Sequence, residues 1–215
     1  MRRESLNRFM DLLLSENEKT NLVSRRLTQT DLEQHVEDAL APCPYREFSG
    51  RKVVDVGSGA GFPGVPLAIA FPAGRFTFVE ADLKKSQFLM RVCQELNLVN
   101  TRVVRERAEV LGRDPRYREK FDVATARAVA ELNVLLEYVL PLVKLGGEFI
   151  AWKGKNYPVE LERAGPAMET LGGDLQEGKK YILGDGYRYL LFIKKVAATP
   201  ERFPRRTGVP AKRPL

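Results

Sequence analysis

Apolar positions change their period along this chain, and the changes divide it. Leu6, Phe9, Met10, Leu13 and Leu14 recur at helical spacing, which predicts an amphipathic helix from about Leu6 to Glu16. A second helix is predicted from about Asp31 to Leu40, with Asp31 as its N-cap acid and Pro42-Cys43-Pro44 ending it. After Gly50, short β-branched runs alternate with helical stretches. Strands are predicted at Lys52–Val56, Arg75–Glu80, Thr101–Arg105, Phe121–Thr125 and Glu148–Lys153, and helices near Val65–Phe71, Leu83–Leu96, Leu132–Leu140 and Val159–Leu171. Repeated β-α-β requires right-handed crossovers, giving an α/β fold whose parallel sheet is covered on both faces. The pattern then changes again. Leu175–Leu183 and Tyr187–Lys195 are strand-like runs joined by Gly184-Asp185-Gly186, which reads as an antiparallel hairpin. The expected architecture is a seven-stranded, mostly parallel sheet with a terminal antiparallel hairpin. Residues 1–50 form an N-terminal helical appendage, 51–198 the main domain, and 199–215 a basic tail without periodicity, expected to be mobile.

The densest signal is Val53–Gly64, Val-Val-Asp-Val-Gly-Ser-Gly-Ala-Gly-Phe-Pro-Gly. A buried-strand run ends in an acid and breaks into Gly57, Gly59, Gly61 and Gly64, and Pro63 can open the next helix. Glycines permit positive φ and let a ligand lie against bare backbone. Strand, glycine turn and helix N-terminus form a holder for a nucleotide-like cofactor. Gly59, Gly61 and Gly64 satisfy the dinucleotide fingerprint G-x-G-x-x-G, so nicotinamide binding has to be weighed. Asp55, before the first glycine, can orient the turn amides or approach a cofactor ammonium group, and Asp-x-Gly-x-Gly-x-Gly suits S-adenosylmethionine (SAM). Glu80 ends the second strand, where a carboxylate can accept ribose hydroxyls; that suits NAD equally. Ala108-Glu109 after the third strand stands where methyltransferases of this build contact adenine. A plainer reading makes Asp55, Glu80 and Glu109 strand-end acids without a ligand, and Arg127 a structural ion-pair partner of Asp122 or Glu109.

Composition narrows the class. The 215 residues, 44% hydrophobic and 29% charged, suit a soluble globular protein. No apolar run approaches the roughly 20 residues a membrane span needs, and Leu12-Leu13-Leu14 is too short for a signal-peptide core, so a cytoplasmic protein is expected. Cys43 and Cys93 make neither a disulfide framework nor a metal spacing, and His35 is the single histidine; no metal is expected. The net charge of +7 is uneven: residues 1–50 carry 7 basic and 9 acidic groups, residues 151–215 carry 13 and 7. Cationic excess at one end favours a polyanionic partner.

In order and spacing, these motifs resemble the bacterial small-subunit rRNA guanine-N7 methyltransferases, the glucose-inhibited division protein B family. The resemblance runs through Asn21-Leu22, His35-Val36-Glu37-Asp38-Ala39-Leu40, the Asp55–Pro66 loop, Lys84-Lys85 with Phe88-Leu89, and Arg107-Ala108-Glu109. It continues through Ala126-Arg127-Ala128, Lys153-Gly154 and Phe203-Pro204-Arg205-Arg206-x-Gly208-x-Pro210. The chain departs from the family at Glu16, where Trp is usual, and at Ala39, where Ser is usual. The resemblance implies a Rossmann-like SAM-dependent methyltransferase acting on 16S rRNA or the small ribosomal subunit. It implies that Gly57, Phe62, Ala108, Glu109 and Arg127 bind SAM, with Glu80, Ala81 and Asp82 near the ribose and adenine. Asp55 and Gly59 complete the expected cofactor set.

Guanine N7 keeps a lone pair outside Watson–Crick pairing, so methyl transfer to it needs alignment and no general base. Arg127 is the expected substrate-positioning residue, and Lys153, Arg188, Arg205 and Arg206 are the expected RNA contacts, with the tail as a clamp. A monomer is the simplest expectation. Two competing readings are a small-molecule SAM methyltransferase and a nicotinamide oxidoreductase, the latter lacking a good histidine acid/base.

Overall fold

The computed structural model describes residues 2–20, 22–23 and 28–215. Asn21, part of one motif above, lies outside the described residues. Helix α1 spans Arg2–Thr20 and α2 spans Gln29–Leu40. Phe9 and Leu13 of α1 are fully buried, as the helical spacing requires. Helix α2 starts earlier than expected, and Asp31 is not its N-cap. Thr28 is the cap: its Oγ1 accepts the Asp31 N–H at 3.2 Å while Asp31 Oδ2 accepts the Thr28 N–H at 2.8 Å. Asp31 therefore supplies the return half of a capping box.

The remaining elements are β1 (Lys52–Val56), α3 (Gly64–Ala70), β2 (Arg75–Val79), α4 (Leu83–Glu95), β3 (Thr101–Val104), α5 (Ala108–Leu111), β4 (Phe121–Arg127) and α6 (Leu132–Val139). They continue with β5 (Val143–Lys153), α7 (Tyr157–Arg163), α8 (Gly165–Leu171), β6 (Gly173–Leu183), β7 (Gly186–Lys195) and α9 (Val209–Lys212). The seven strands form one sheet in the order β3-β2-β1-β4-β5-β7-β6. Strands β1 to β5 pair in parallel, and β7 runs antiparallel to both β5 and β6. The expected sheet and its hairpin are both present.

Alternation along the strands sorts two apolar layers. Val53, Phe76, Phe78, Ile150 and Trp152 face α1 to α4, sharing one buried cluster with Phe9, Leu13 and Leu32. Val54, Val56, Ala124, Phe149 and Ala151 face α6 and α8 and share a second cluster with Leu135 and Leu171. The first two helices are thus packed into the sheet's own core. They cover one face of it as α3 and α4 do.

Three local differences from the sequence pattern have physical causes. The predicted helix Val159–Leu171 is broken into α7 and α8, because Pro166 has no N–H for the helical ladder. Strand β5 begins at Val143 rather than Glu148, crossing Gly146 (φ +76°) and a register shift against β4. Pro63 precedes α3 as its N-cap rather than lying inside its first turn.

The tail, expected to be mobile, is packed against the domain. Phe203 is 5% exposed and joins the second apolar cluster. Arg113 Nε donates to Pro204 O at 2.7 Å, and Arg118 Nη1 donates to Phe203 O at 2.7 Å. Buried Lys195 ties the start of the tail, donating to Leu140 O (3.0 Å), Leu171 O (2.9 Å) and the Thr199 hydroxyl. Burial pushes its ammonium pKa down to about 8. A Pro/Arg-rich stretch lacks periodicity, yet fixed φ angles and guanidinium donors anchor it.

Candidate active site

Strand β1 delivers the glycine loop to the carboxyl edge of the sheet, beside β4, where the strand order reverses. Clefts of open α/β sheets form there. The Gly57 and Ser58 N–H groups both donate to Val79 O, at 2.9 and 3.1 Å, so the turn folds over the end of β2. Gly57 has φ +71°, and a Cβ on it would stand 2.6 Å from Val129 Cγ2. Only glycine fits. Gly64 is needed for closeness instead: its Cβ would meet Phe78 at 2.6 Å and Asp55 Oδ2 at 2.7 Å.

Asp55 is 1% exposed and ties the loop from beneath. Its Oδ2 accepts the Gly64 N–H at 3.2 Å and its Oδ1 accepts the Thr125 hydroxyl at 2.8 Å. Burial pushes its carboxyl pKa up to about 6, against the lowering pull of these donors and of Arg127. Glu80 braces the loop from the side, its Oε2 accepting the Gly59 N–H at 2.9 Å and its Oε1 the Asp82 N–H at 2.8 Å. Asp82 is the N-cap of α4, accepting the Lys85 N–H at 3.0 Å. That bond holds its carboxyl below the usual aspartate range.

A cavity of about 360 Å³ opens above the loop. Gly57, Gly59 and Phe62 form part of its wall, with Glu80 and Ala81 from the end of β2, Ala108 and Glu109 from α5, and Arg127 from β4. Eight of the ten expected cofactor residues therefore line one space. Asp55 lies behind that wall and Asp82 beside it. The cavity also borders Leu22, His35, Lys85 and Tyr138, none of which the sequence reading placed there. His35 and Asp38 stand three apart on α2, a spacing that puts both on one helix face.

Arg127 pairs with neither Asp122 nor Glu109, the partners that the plainer reading gave it. Its Nη1 donates to Asp38 Oδ2 at 2.5 Å, and its guanidinium stands 4.9 Å from the Phe62 ring centroid. Asp38, 6% exposed, also accepts the Tyr181 hydroxyl, and its backbone O accepts Trp152 Nε1 at 2.8 Å. One α2 residue thus joins β4 and β6 through its carboxylate and β5 through its backbone. Burial and Asp38 push the Tyr181 pKa far above the ordinary phenol range, so its hydroxyl remains a donor. Burial, then Arg127, pushes the His35 pKa down, which makes its imidazole neutral at pH 7.

A second cavity, about 510 Å³, adjoins the first and shares His35, Arg127 and Ala128 with it. It lies over the ends of β4 and β5 and holds two expected RNA contacts, Lys153 and Arg188. Lys153 is committed: its buried Nζ donates to Glu160 Oε2 at 2.6 Å and Ala130 O at 3.0 Å. Arg188 is exposed. The other two, Arg205 and Arg206, line a cavity with Glu109 and Arg113. Arg205 is held by fully buried Glu137, with contacts of 2.6–3.1 Å, which raises its pKa. Arg206 is exposed.

Comparison with known proteins bears on the family and the fold. The family model described as rRNA small subunit methyltransferase G matches residues 2–182. A protein of Syntrophomonas wolfei named ribosomal RNA small subunit methyltransferase G is 44% identical over 208 residues, covering 96% of this chain and 97% of its own. One of the same name from Carboxydothermus hydrogenoformans is 45% identical, covering 97% and 89%. Among solved structures, cofactor-bound Rv0187 from MTB superposes with a TM-score of 0.63 at 18% identity, covering 89% of each chain. TYW2 of M. jannaschii, in complex with AdoMet, gives 0.60 at 16%, covering 80% of this chain and 78% of that one. At these identities the structures speak for the fold alone.

Proposed function

The chain belongs to the rRNA small subunit methyltransferase G family, which is SAM-dependent, and from that premise we propose that it methylates N7 of a guanine in 16S rRNA by direct in-line displacement. The observation that carries this reading is the cavity over the glycine loop. It combines exposed loop backbone, a strand-end carboxylate and a neighbouring second cavity that shares its wall.

The residues present fit SAM. Gly57 and Gly59 bring bare loop backbone to the cavity wall, and the Glu80 oxygens keep lone pairs for ribose hydroxyls. Ala108 and Glu109 would meet the adenine. When bound there, SAM supplies an electrophilic methyl group on sulfonium. Phe62 offers an aromatic wall on which Arg127 is stacked. Asp38 fixes the guanidinium direction, so Arg127 is pre-set to orient the substrate. No step requires a base, because N7 attacks through its own lone pair. Exposed Arg188 and Arg206 would meet RNA phosphates. Paired Lys153 and Arg205 would act mainly by holding Glu160 and Glu137 in place.

The test is label transfer from tritiated SAM to small ribosomal subunits from cells lacking this activity, at 50 and 200 mM salt. Label is expected in the rRNA, with turnover falling at least about 10-fold across that range. Label absent from rRNA, or salt-independent turnover of a small molecule, would contradict the reading.

A further inference from the structure

The second cavity has chemistry of its own, and its least explained member is Glu160 on α7. Glu160 Oε2 accepts two donors, Lys153 Nζ at 2.6 Å and the Leu132 N–H at 3.1 Å. Among the described residues nothing donates to Oε1. The carboxylate is therefore held rigidly from behind by a buried lysine and the start of α6, with one oxygen unclaimed in the wall of a cavity. A surface acid has no need of such support; a reading group does. The charged groups lining the same space are Asp38, Arg127, Lys153 and Arg188, and the first three are already engaged in ion pairs or carbonyl contacts. A neutral planar base would enter without leaving a buried charge unpaired.

We propose that this second cavity is the acceptor-base pocket and that Glu160 reads the Watson–Crick edge of the guanine, its open Oε1 accepting the N1–H and the 2-amino group. The inference rests on the function proposed above and assigns the substrate-reading residue of that site. Guanine presents those two donors side by side, and the two lone pairs of one carboxylate oxygen can accept both. Adenine presents a lone pair at N1 and no 2-amino group, so the same carboxylate repels it. Unpaired buried polar groups reject the wrong base more strongly than shape does. A guanine held by that edge keeps N7 and O6 free for the junction bordered by His35, Arg127 and Ala128, where the cavities meet. Its pairing edge is available only when the base is out of a helix, as a pocket of this kind requires.

Inosine, which is guanosine without the 2-amino group, isolates the contact. Rates are to be compared on small-subunit rRNA carrying guanosine or inosine at the methylated position, for the wild type and for Glu160→Gln. The wild type is expected to prefer guanosine by about 10-fold or more in kcat/KM. Glu160→Gln is expected to compress that ratio to within about threefold while binding SAM normally by calorimetry. Equal wild-type rates on both substrates, or a ratio unchanged in Glu160→Gln, would overturn the proposal. A second measurement needs no turnover: GMP and IMP are titrated into protein saturated with S-adenosylhomocysteine. GMP binding tighter than IMP in the wild type but not in Glu160→Gln supports the pocket even if rRNA proves to be the wrong substrate. Equal or undetectable binding of both nucleotides overturns it.

Discussion

Asp38 shows how much of this site hangs on single side chains. It receives Arg127, Tyr181 and, through its backbone, Trp152, so α2 sets the direction of the β4 guanidinium. Asp38→Ala leaves the largely enclosed Arg127 without its counter-charge and is expected to cost about 3 kcal/mol by chemical denaturation, with activity lost as well. His35 tests the base-free chemistry. Although this neutral imidazole borders both cavities, His35→Gln is expected to keep kcat within about 10-fold; a loss of 100-fold or more would mean a proton-transfer role. Asp55 makes a pH prediction. Its folded pKa, about 6, lies above the ordinary aspartate value of 3.8, so its contribution is fully present below about 4 and is lost as pH rises through about 6. Wild type should therefore lose roughly 2–3 kcal/mol relative to Asp55→Asn between pH 4 and 7, read from denaturation midpoints. At this scale the sequence made residue types legible, and distant partners were not. Arg127 stood out at a strand end, but its partner is 89 positions away on another element, and no local pattern encodes that pairing.

At the scale of elements, the strands and the terminal hairpin followed from alternation and glycine placement because both are local properties. Boundaries moved where local signals competed. Asp31 resembles an N-cap, yet Thr28 offers a hydroxyl with an acid three positions on, and the two together outcompete either alone. Gly146-Gly147 lies inside β5 where its pairing with β4 skips from Val143 to Glu148 and its pairing with β7 has not begun, so the glycines carry a bulge rather than end the strand. Most telling is the tail, whose anchors on Arg113, Arg118 and Glu137 lie 68 to 91 positions away. Phe203→Ala is expected to cost about 3 kcal/mol or more in urea denaturation, because the ring fills the second apolar layer. An unchanged midpoint would mean that the tail is not part of the core.

For the whole molecule, the eight cavity-lining residues come from four separate stretches, and the fold gathers them at the carboxyl edge of one sheet. Their gathering was readable because parallel strands joined by β-α-β crossovers all end on the same edge of the sheet. The second cavity was not readable: it needs α7, β5 and the β6-β7 hairpin together, and Glu160 sits in a helix whose pattern carries no catalytic motif. Both spaces meet at Arg127 and Ala128, which is the geometry expected when a cofactor and a base must face each other. The most direct measurement is chemical mapping of the methylated product. Small subunits lacking the modification are treated with the protein and SAM, and the rRNA is then reduced with borohydride and cleaved with aniline, which cuts at N7-methylguanine. One strong cleavage that depends on both protein and SAM is the predicted result; transferred label without such a cleavage, or no transfer at all, would contradict methylation at guanine N7.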